Sequence, residues 1–359
     1  MNVWVCAQVG TIIEGAKHPE WRKTVRDCRF TGFLVETFDV TTPIDPEDVA
    51  KAKKILDELG CRTLSCCVAI GHPEGLDTPR FTYHEGWHIR RDIDGNEVRW
   101  CNAITPRLIS DMRAHALELR ELGIPAVLWD DDLRQGNYEG DVQGCFCDDC
   151  LAEFAEKYSS VIPDGFCRET LRPVVKRDPA GLSDAQLALR EAWIEFTCER
   201  ITRYMRETTV DGVRNGIMVM HNGDRRHGID IPAIREAVPG CLFRVGELMF
   251  GDSSFNPPAN RRALAEGVLR HMELMGDPDN IFSESTVYPH GALTPENLRR
   301  KIVIERKCGL RNINLMGMER MNSQAYYDML RDNYDRFEAI EKELTLDNLD
   351  SFDFANIPE

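Results

Sequence analysis

The sequence contains no run of about 20 consecutive apolar residues, the length that a membrane-spanning helix needs. Internal repeats of fixed length and low-complexity segments are absent as well. Residues 1–6 lack a basic region followed by an apolar core, so we predict no signal peptide. These absences exclude a helical membrane protein and a repeat protein, and they favour a globular chain that makes no use of a membrane.

Positive charge is scarce. The 359 residues include 44 lysines and arginines against 60 aspartates and glutamates, which gives a formal net charge of −16. Nucleic-acid binding usually needs a basic face, so we expect no nucleic-acid partner. With 42% apolar and 29% charged residues, the composition is that of a soluble globular protein, and the length suffices for one barrel or two ordinary domains.

The thirteen cysteines do not read as a disulfide framework. Their number is odd, and several lie inside apolar runs, namely Cys6, Cys66, Cys67 and Cys241. Buried, reduced thiols in a reducing compartment explain this usage better than cystines do. We therefore predict a cytoplasmic location.

Short β-branched apolar runs alternate with helix-like segments along most of the chain. Eight strands are predicted, at residues 3–7, 32–38, 61–71, 125–129, 217–220, 242–248, 280–286 and 313–318. Alternation of this kind indicates a parallel sheet, and eight units favour one closed (β/α)8 (TIM) barrel, an α/β fold, over residues 1–345. The rival is an open doubly wound sheet, but no Gly-x-Gly-x-x-Gly follows any strand. No organic cofactor is expected.

Three segments depart from the alternation. Residues 72–102 form a polar and aromatic excursion with a turn at 94–96, long enough that we expect it to fold over something. Residues 161–180 are rich in proline and read as irregular. Residues 346–359 read as a polar tail, which we expect to be frayed.

Polar residues, mostly acids and amides, lie at the ends of the predicted strands where barrel enzymes carry their active sites. They are Glu36, His72, Asp130–Asp132, His221, Asn222, Glu247 and Glu284. A single acid at such a place is often a helix cap or an ion-pair partner, and a lone His221 is as often structural as functional. Three adjacent acids repel one another, however, so at least one of the 130–132 run should face the barrel mouth with a raised pKa or a cation partner. Carboxylate-rich sites with aromatic neighbours suit glycoside chemistry.

A Cys-x-Cys-x-x-Cys motif follows the fourth predicted strand. Cys145, Cys147 and Cys150 offer three soft ligands in a short loop, whereas tetrahedral zinc needs four. Any other cysteine or histidine could be the fourth. Cys101 is the natural candidate, because it ends the 72–102 excursion and neighbouring strand-end loops lie close together in a barrel. Four thiolates would leave no open coordination position, so the zinc would be structural; three free thiols are the alternative.

In these features the chain resembles the family 42 glycoside hydrolases, which are β-galactosidases. That family has a cysteine in the loop after the third strand, a helix, a strand with Trp and an Asp-Asn-Glu run, the same cysteine knuckle and a helix containing Phe. The corresponding residues here are Cys101, Trp129, Asp130-Asp131-Asp132, Cys145-Phe146-Cys147-Asp148-Asp149-Cys150 and Phe154. The resemblance implies that Cys101, Cys145, Cys147 and Cys150 bind structural zinc.

The resemblance also implies the catalytic pair. The family's nucleophile is a glutamate at the end of the seventh strand, which points to Glu284 within Phe282-Ser283-Glu284-Ser285-Thr286. The acid/base position falls on Asp132, with Asp131 where the family has asparagine. Two features depart from the family: Asp-Asp replaces Asn-Glu, and the sequence ends after the barrel, where family 42 enzymes continue into further domains.

Three functions follow as hypotheses. The first is a retaining glycosidase on a small carbohydrate, with Asp132 as acid/base, Glu284 as nucleophile and substrate contacts from Asp131, His221, Asn222, Glu247, Trp87 and Trp100. The second is a metal-dependent sugar isomerase, epimerase or lyase on the same barrel. Its divalent metal would be held by Glu36, Asp131, His221, Glu247 or Glu284 and would polarise a carbonyl. The third is a non-catalytic carbohydrate-binding barrel. The sequence leaves the oligomeric state open, a homo-oligomer included.

Overall fold

A computed structural model gives the fold of the chain. It describes residues 1–40, 43–71, 86–130, 133, 142–176, 178–219, 223–246, 248–287, 289, 291–316 and 323–357, without the side chains of residues 99, 100 and 286. Within these ranges, no helix is both long enough and apolar enough to cross a lipid bilayer.

The predicted (β/α)8 barrel is confirmed. Parallel strands follow one another around the barrel, and β1 closes it by pairing with β11, with Val3 beside Ile313. Two short strands share the seventh position, because β9 pairs with β8 and β11 while β10 pairs with β11 alone. The barrel strands are β1 (Asn2–Gln8), β2 (Gly32–Asp39), β3 (Arg62–Val68), β6 (Ala126–Trp129), β7 (Arg214–Val219), β8 (Leu242–Val245), β9 (Ile281–Phe282), β10 (Ser285–Thr286) and β11 (Asn312–Met316).

Helices cover the outside of the barrel, as a parallel sheet with buried faces requires. Several begin with a proline in the first turn behind a capping aspartate or threonine, as at Asp45 and Thr105. The described helices are α1 (Val9–Gly15), α2 (Pro19–Asp27), α3 (Pro46–Glu58), α4 (Pro106–Glu121), α5 (Asp148–Lys157), α6 (Arg168–Lys176), α7 (Asp184–Glu207), α8 (Ile231–Ala237), α9 (Asp252–Phe255), α10 (Pro258–Met275), α11 (Pro295–Cys308) and α12 (Gln324–Ala339).

Side-chain alternation along the strands divides the apolar core into two layers. Val3, Val5 and Ala7 belong to the layer between the strands and the helices. Trp4 and Cys6 belong to a smaller cluster, which fills the barrel interior with Leu34, Leu64, Cys66, Ala126, Leu128, Leu242 and Phe282. The next interior position on each strand therefore lies at the carboxyl-terminal mouth.

The excursion before Cys101 contains a hairpin. Strand β4 (Ile89–Arg91) pairs antiparallel with β5 (Glu97–Asn102), and the predicted turn lies between them. Asp92 stabilises this turn, since its Oδ1 accepts hydrogen bonds from the backbone N–H groups of Asp94 and Asn96 at 2.9 and 2.8 Å.

Two segments differ from the expectation of irregular structure. Residues 168–176 form α6 in spite of Pro173, because Leu171, Val174 and Val175 lie on one buried face and Arg190 of α7 donates to the Val174 and Val175 carbonyls at 2.7 and 3.0 Å. The tail is not frayed where it is described. Its buried side chains are Leu349, Phe354 and Ile357.

Candidate functional site

The mouth of the barrel carries polar side chains at the interior position directly above the apolar cluster that fills the barrel. Each lies two residues beyond an inward-facing residue of its own strand: Glu36 beyond Leu34, Asp130 beyond Leu128, Arg244 beyond Leu242 and Glu284 beyond Phe282. Strand alternation thus brings four charged groups, from four different strands, to the face where barrel enzymes bind their substrates.

Arg244 is at the centre of this group. Its side chain is fully buried, and its Nη2 donates to Asp130 Oδ1 and lies 3.6 Å from Glu284 Oε1. Asp130 and Glu284 are both only 6% exposed. One guanidinium therefore lies against two buried carboxylates, and in a medium of low dielectric this favours the ionised form of both acids. Arg244 is not among the site residues predicted from the sequence, although an arginine inside Leu-Phe-Arg-Val, an otherwise apolar strand, is an available signal.

Asp130 is the member of the acidic run that the structure describes. Its backbone N–H donates to the Cys67 carbonyl at 2.8 Å, which continues the β3–β6 pairing, and Cys66 Sγ donates to its Oδ2 at 3.2 Å. With Arg244 it meets the expectation that one acid of the run faces the mouth and finds a cation partner. Asp131 and Asp132 lie outside the described residues.

Glu284 lies between the two short strands of the seventh barrel position, and its neighbours hold it there. The Ser283 hydroxyl accepts from the Asn314 backbone N–H at 2.9 Å, and the Ser285 hydroxyl donates to Glu305 Oε1 of α11 at 2.6 Å. The Glu284 carbonyl accepts from Lys301 Nζ of the same helix at 3.0 Å. These contacts fix the backbone on both sides while the Glu284 carboxylate faces Arg244.

Glu36 differs in protonation from the acids beside Arg244. Burial raises its pKa to about 8, with further contributions from its hydrogen bond with Asp39, the charge of Asp39 and the charge of Asp130. A β-bulge follows it, since the pairing of β2 with β3 shifts register between Glu36 and Phe38. Burial thus favours a neutral carboxyl group at Glu36, whereas Arg244 favours the ionised form of the two acids that it contacts.

The other predicted substrate contacts lie mostly outside the described part of the chain. This holds for His221, Asn222 and Glu247, and for the side chain of Trp100, whose backbone belongs to β5. Trp87 is 8% exposed, its ring lies 6.2 Å from that of Phe38, and its Nε1 donates to Asp111 Oδ2 at 2.7 Å. This placement gives the Trp87 side chain a packing role. Its contact with a sugar remains a prediction.

The three knuckle cysteines form one compact group. The sulfur atoms of Cys145, Cys147 and Cys150 lie within 4.8 Å of one another, at the start of α5, and those of Cys147 and Cys150 are 3.3 Å apart. Their loop is held from outside, because the Phe146 backbone N–H donates to the Arg91 carbonyl of β4 at 2.9 Å and the Phe146 ring stacks on Trp193 at 4.7 Å.

The chemistry of the group fits a zinc ion. Tetrahedral zinc with Zn–S bonds of about 2.3 Å places its sulfur ligands about 3.8 Å apart, within the spacing found here. The thiols of Cys147 and Cys150 donate to Cys145 and hold its pKa well below the ordinary value, while sharing protons with Cys145 raises the pKa of Cys147 and of Cys150. A soft cation would replace those shared protons.

The hairpin that carries Cys101 contacts the knuckle loop. Cys101 belongs to β5 and is fully buried, and β4, its hairpin partner strand, makes the backbone contact to Phe146. The group within 4.8 Å comprises the three knuckle sulfurs. Cys101 stays the predicted fourth ligand. None of the thirteen cysteines, all of which lie in the described ranges, forms a disulfide bond, and eleven of them are buried.

Comparison with known proteins identifies relatives by fold alone. No protein-family model matches the sequence, and no curated protein does. Among solved structures, the β-galactosidase of the psychrophilic Marinomonas ef1 is 12% identical with a TM-score of 0.63, over 97% of this chain and 61% of that one. The cold-adapted β-galactosidase of Rahnella sp. R3 is 10% identical with a TM-score of 0.67, over 95% and 56%.

A third structure is a catalytic mutant of Gan42B, a glycoside hydrolase family 42 β-galactosidase from G. stearothermophilus. It is 10% identical with a TM-score of 0.61, over 91% of this chain and 54% of that one. The chain thus has the barrel fold of the family 42 β-galactosidases and spans between 54% and 61% of the length of these three neighbours.

Proposed function

We propose that the protein is a glycoside hydrolase that cleaves a small β-galactoside-like substrate by a retaining mechanism with two carboxylates. Glu284 is the nucleophile and Asp132 the acid/base. The observation that carries the proposal is the buried Glu284 carboxylate at the seventh barrel position, 3.6 Å from the fully buried Arg244. The likeness in fold to β-galactosidases supports the reaction class.

The surroundings of Glu284 suit a nucleophile. A carboxylate that attacks an anomeric carbon must be ionised before the substrate binds, and Arg244 favours that form. It must also be held in place, and the contacts of Ser283 and Ser285 with β11 and α11 restrict its backbone. Positioning of this kind lowers the entropic cost of reaching the transition state.

We assign the acid/base role to Asp132 because the resemblance to family 42 places that role at the end of the fourth strand. In retaining enzymes the two carboxyl groups stand about 5–5.5 Å apart, so that the acid reaches the leaving oxygen while the nucleophile attacks. Aspartate is one methylene shorter than glutamate, so Asp132 needs a backbone closer to the substrate than a glutamate would. Around the pair we assign substrate contacts to Asp131, His221, Asn222, Glu247, Trp87 and Trp100.

The metal in this proposal is structural. Cys145, Cys147 and Cys150, with Cys101 as the fourth ligand, would hold a zinc ion with four thiolates. Such a site has no open position for water or substrate, so its contribution is to join the β4–β5 hairpin to the start of α5. The reaction itself needs only the side chains at the mouth.

The experiment that tests the proposal is the Glu284→Gln substitution. The amide keeps the size of the side chain but cannot attack, so turnover of the aryl glycosides that the native protein hydrolyses should fall by at least about 10³-fold. Hydrolysis is followed by release of the aryl group, and folding by the thermal midpoint. Glu296→Gln, on the half-exposed face of α11, is the matched control.

Three outcomes would count against the proposal. Full activity of the Glu284→Gln variant would remove Glu284 as nucleophile. Loss of activity on EDTA treatment with recovery on adding Mn²⁺ or Mg²⁺ would favour the metal-dependent isomerase or lyase. Binding of a sugar without turnover, across a broad panel of aryl glycosides, would favour the carbohydrate-binding barrel.

A further inference from the structure

A buried lysine on α11 joins two loops at the barrel mouth. Lys301 is 0% exposed, and its Nζ donates to the Glu284 carbonyl at 3.0 Å and to the Leu248 carbonyl at 3.1 Å. It also lies 5.8 Å from the centre of the Phe250 ring. Lysine is rarely buried to this extent, because removing its charge from water is costly. The hydrogen bonds to the two carbonyls offset part of the cost of burying this charge.

The first of the two loops follows β8 and has an unusual backbone. Leu248 and Met249 have φ angles of 60° and 58°, so two consecutive non-glycine residues adopt the left-handed conformation. That conformation costs about 1–2 kcal/mol per residue and persists only where the surroundings impose it. The Leu248 side chain is 38% exposed, so its own packing does not account for the conformation. The hydrogen bond from Lys301 to the Leu248 carbonyl is a contact that holds the turn in this conformation.

The second loop carries Glu284, and α11 supports it at two adjacent positions. Lys301 and Glu305 are four residues apart and so lie on the same face of the helix. Lys301 contacts the Glu284 carbonyl, and Glu305 accepts from the Ser285 hydroxyl. Both helix residues are fully buried. A shift of α11 or of Lys301 would therefore move the Glu284 peptide and the Leu248–Met249 turn together.

We infer that Lys301 is a positioning residue for Glu284, which couples the Glu284 peptide to the left-handed turn at Leu248 and Met249. This inference rests on the proposed role of Glu284 as nucleophile. By holding both carbonyls, Lys301 sets the direction in which the Glu284 side chain leaves the backbone and keeps the turn after β8 at the edge of the site. Its described hydrogen bonds are to backbone carbonyls, so in this inference Lys301 acts through Glu284 and not on the substrate itself.

Substitution of Lys301 by methionine tests the inference. Methionine has a similar length and apolar volume but no donor, so both carbonyls lose their hydrogen bond. With an aryl glycoside that the native protein hydrolyses, kcat should fall by about 10- to 100-fold with little change in KM, because the nucleophile is displaced while substrate contacts remain. Lys301→Arg, which keeps donors and charge, should recover part of kcat.

Arg306→Met is the matched control. Arg306 is also a buried cation of α11, and its guanidinium also donates to backbone carbonyls, at Phe337, Leu310 and Ile340, but away from the mouth. It should lower the thermal midpoint and leave kcat unchanged. If Lys301→Met keeps native kcat, or if Arg306→Met lowers kcat equally at matched stability, the inference is overturned. Should Lys301→Met not fold, Lys301→Gln, whose shorter amide cannot reach both carbonyls, replaces it.

Hydrogen exchange separates failure of this inference from failure of the proposed function. In the Lys301→Met variant, amides of residues 248–255 and 281–287 should exchange at least about tenfold faster than in the native protein, while the Arg306→Met variant leaves them unchanged. This readout needs no substrate. Exchange that rises in only one of the two segments, or equally throughout the barrel, would overturn the coupling even if Glu284→Gln proves inactive.

Discussion

At the residue scale, the charged groups of the mouth differ in their surroundings. Asp130 and Glu284 lie against Arg244, whereas the pKa of Glu36 is raised chiefly by burial, and then by its hydrogen bond with Asp39 and the charges of Asp39 and Asp130. The first arrangement favours carboxylates and the second a neutral carboxyl group. A pair of acids whose environments drive their pKa values apart is the usual basis for dividing acid and base roles in an active site.

The raised pKa of Glu36 predicts how the stability of the protein depends on pH. This pKa rises from 4.5 to about 8 on folding, so the folded state binds the proton more tightly than the unfolded chain does. The stabilisation is complete below pH 4.5 and is lost as pH rises to 8. Glu36→Gln cannot ionise, so relative to the native protein it should gain on the order of 2 kcal/mol or more between pH 5 and pH 8.

Urea unfolding at pH 5, 6.5 and 8 measures this difference. Glu97→Gln, at a half-exposed residue of β5, is the control and should show none of it. A difference between Glu36→Gln and the native protein that is constant with pH would show that Glu36 is ionised throughout.

At the scale of elements, the cysteine knuckle joins parts of the fold that are distant in sequence. Cys147 precedes α5, Phe146 contacts Arg91 of the hairpin, and Trp193 of α7 stacks on Phe146 and donates to the Gln143 carbonyl at 3.2 Å. This region has its own apolar cluster, separate from the main core. A metal at the knuckle would stabilise that cluster by cross-linking its edge.

We predict one zinc ion per chain, lost on Cys147→Ser. Removing a ligand should also lower the free energy of unfolding by about 2 kcal/mol or more, since a ligand present at 100 times its Kd contributes about 2.7 kcal/mol. Metal content is measured by plasma mass spectrometry and stability by thermal unfolding. Cys167→Ser is the control, because Cys167 is exposed and stands outside the cluster. Cys101→Ser tests the fourth ligand and should behave as Cys147→Ser does.

At the scale of the whole molecule, the two ends of the chain complete the barrel. Strand β1 pairs with β11, and Trp4 Nε1 donates to Asn312 Oδ1 at 3.2 Å within the interior. Beyond α12, the chain returns over α10, where Arg261 donates to the Phe354 carbonyl at 3.0 Å and Arg262 pairs with Asp350 at 2.7 Å. We therefore predict that the last described segment unfolds together with the barrel.

Phe354→Ala tests that prediction. The side chain is 5% exposed, so its removal should cost about 3 kcal/mol of unfolding free energy, measured by urea denaturation. Phe352→Ala is the matched control, since Phe352 is only partly buried and packs edge-on against Phe354 at 4.8 Å. Its cost should be smaller. Equal and negligible costs for the two variants would mean that the segment is frayed in solution.

The sequence alone determined the barrel fold and the position of the site at the carboxyl-terminal mouth of the barrel. Eight apolar runs alternating with helical spacing admit few topologies, and strand alternation places Glu36, Asp130 and Glu284 above inward-facing apolar residues. The three knuckle cysteines could also be recognised as possible metal ligands from the sequence, because they lie close together in it. The bounds of α11 also have local causes, because Thr294 caps its start and Gly309 follows its end.

Only the tertiary structure decided what depends on residues far apart in the chain. Arg244 and Asp130 are 114 residues apart, and no local pattern announces that they pair. Helix α6 forms in spite of Pro173 because Arg190 of α7 donates to its carbonyls. The polar tail packs because its apolar side chains Leu349, Phe354 and Ile357 are buried. From the sequence alone, Lys301 would be placed on the exposed surface of its helix. Burial, which sets its role and the pKa of Glu36, is a property of the assembled barrel and not of any segment of it.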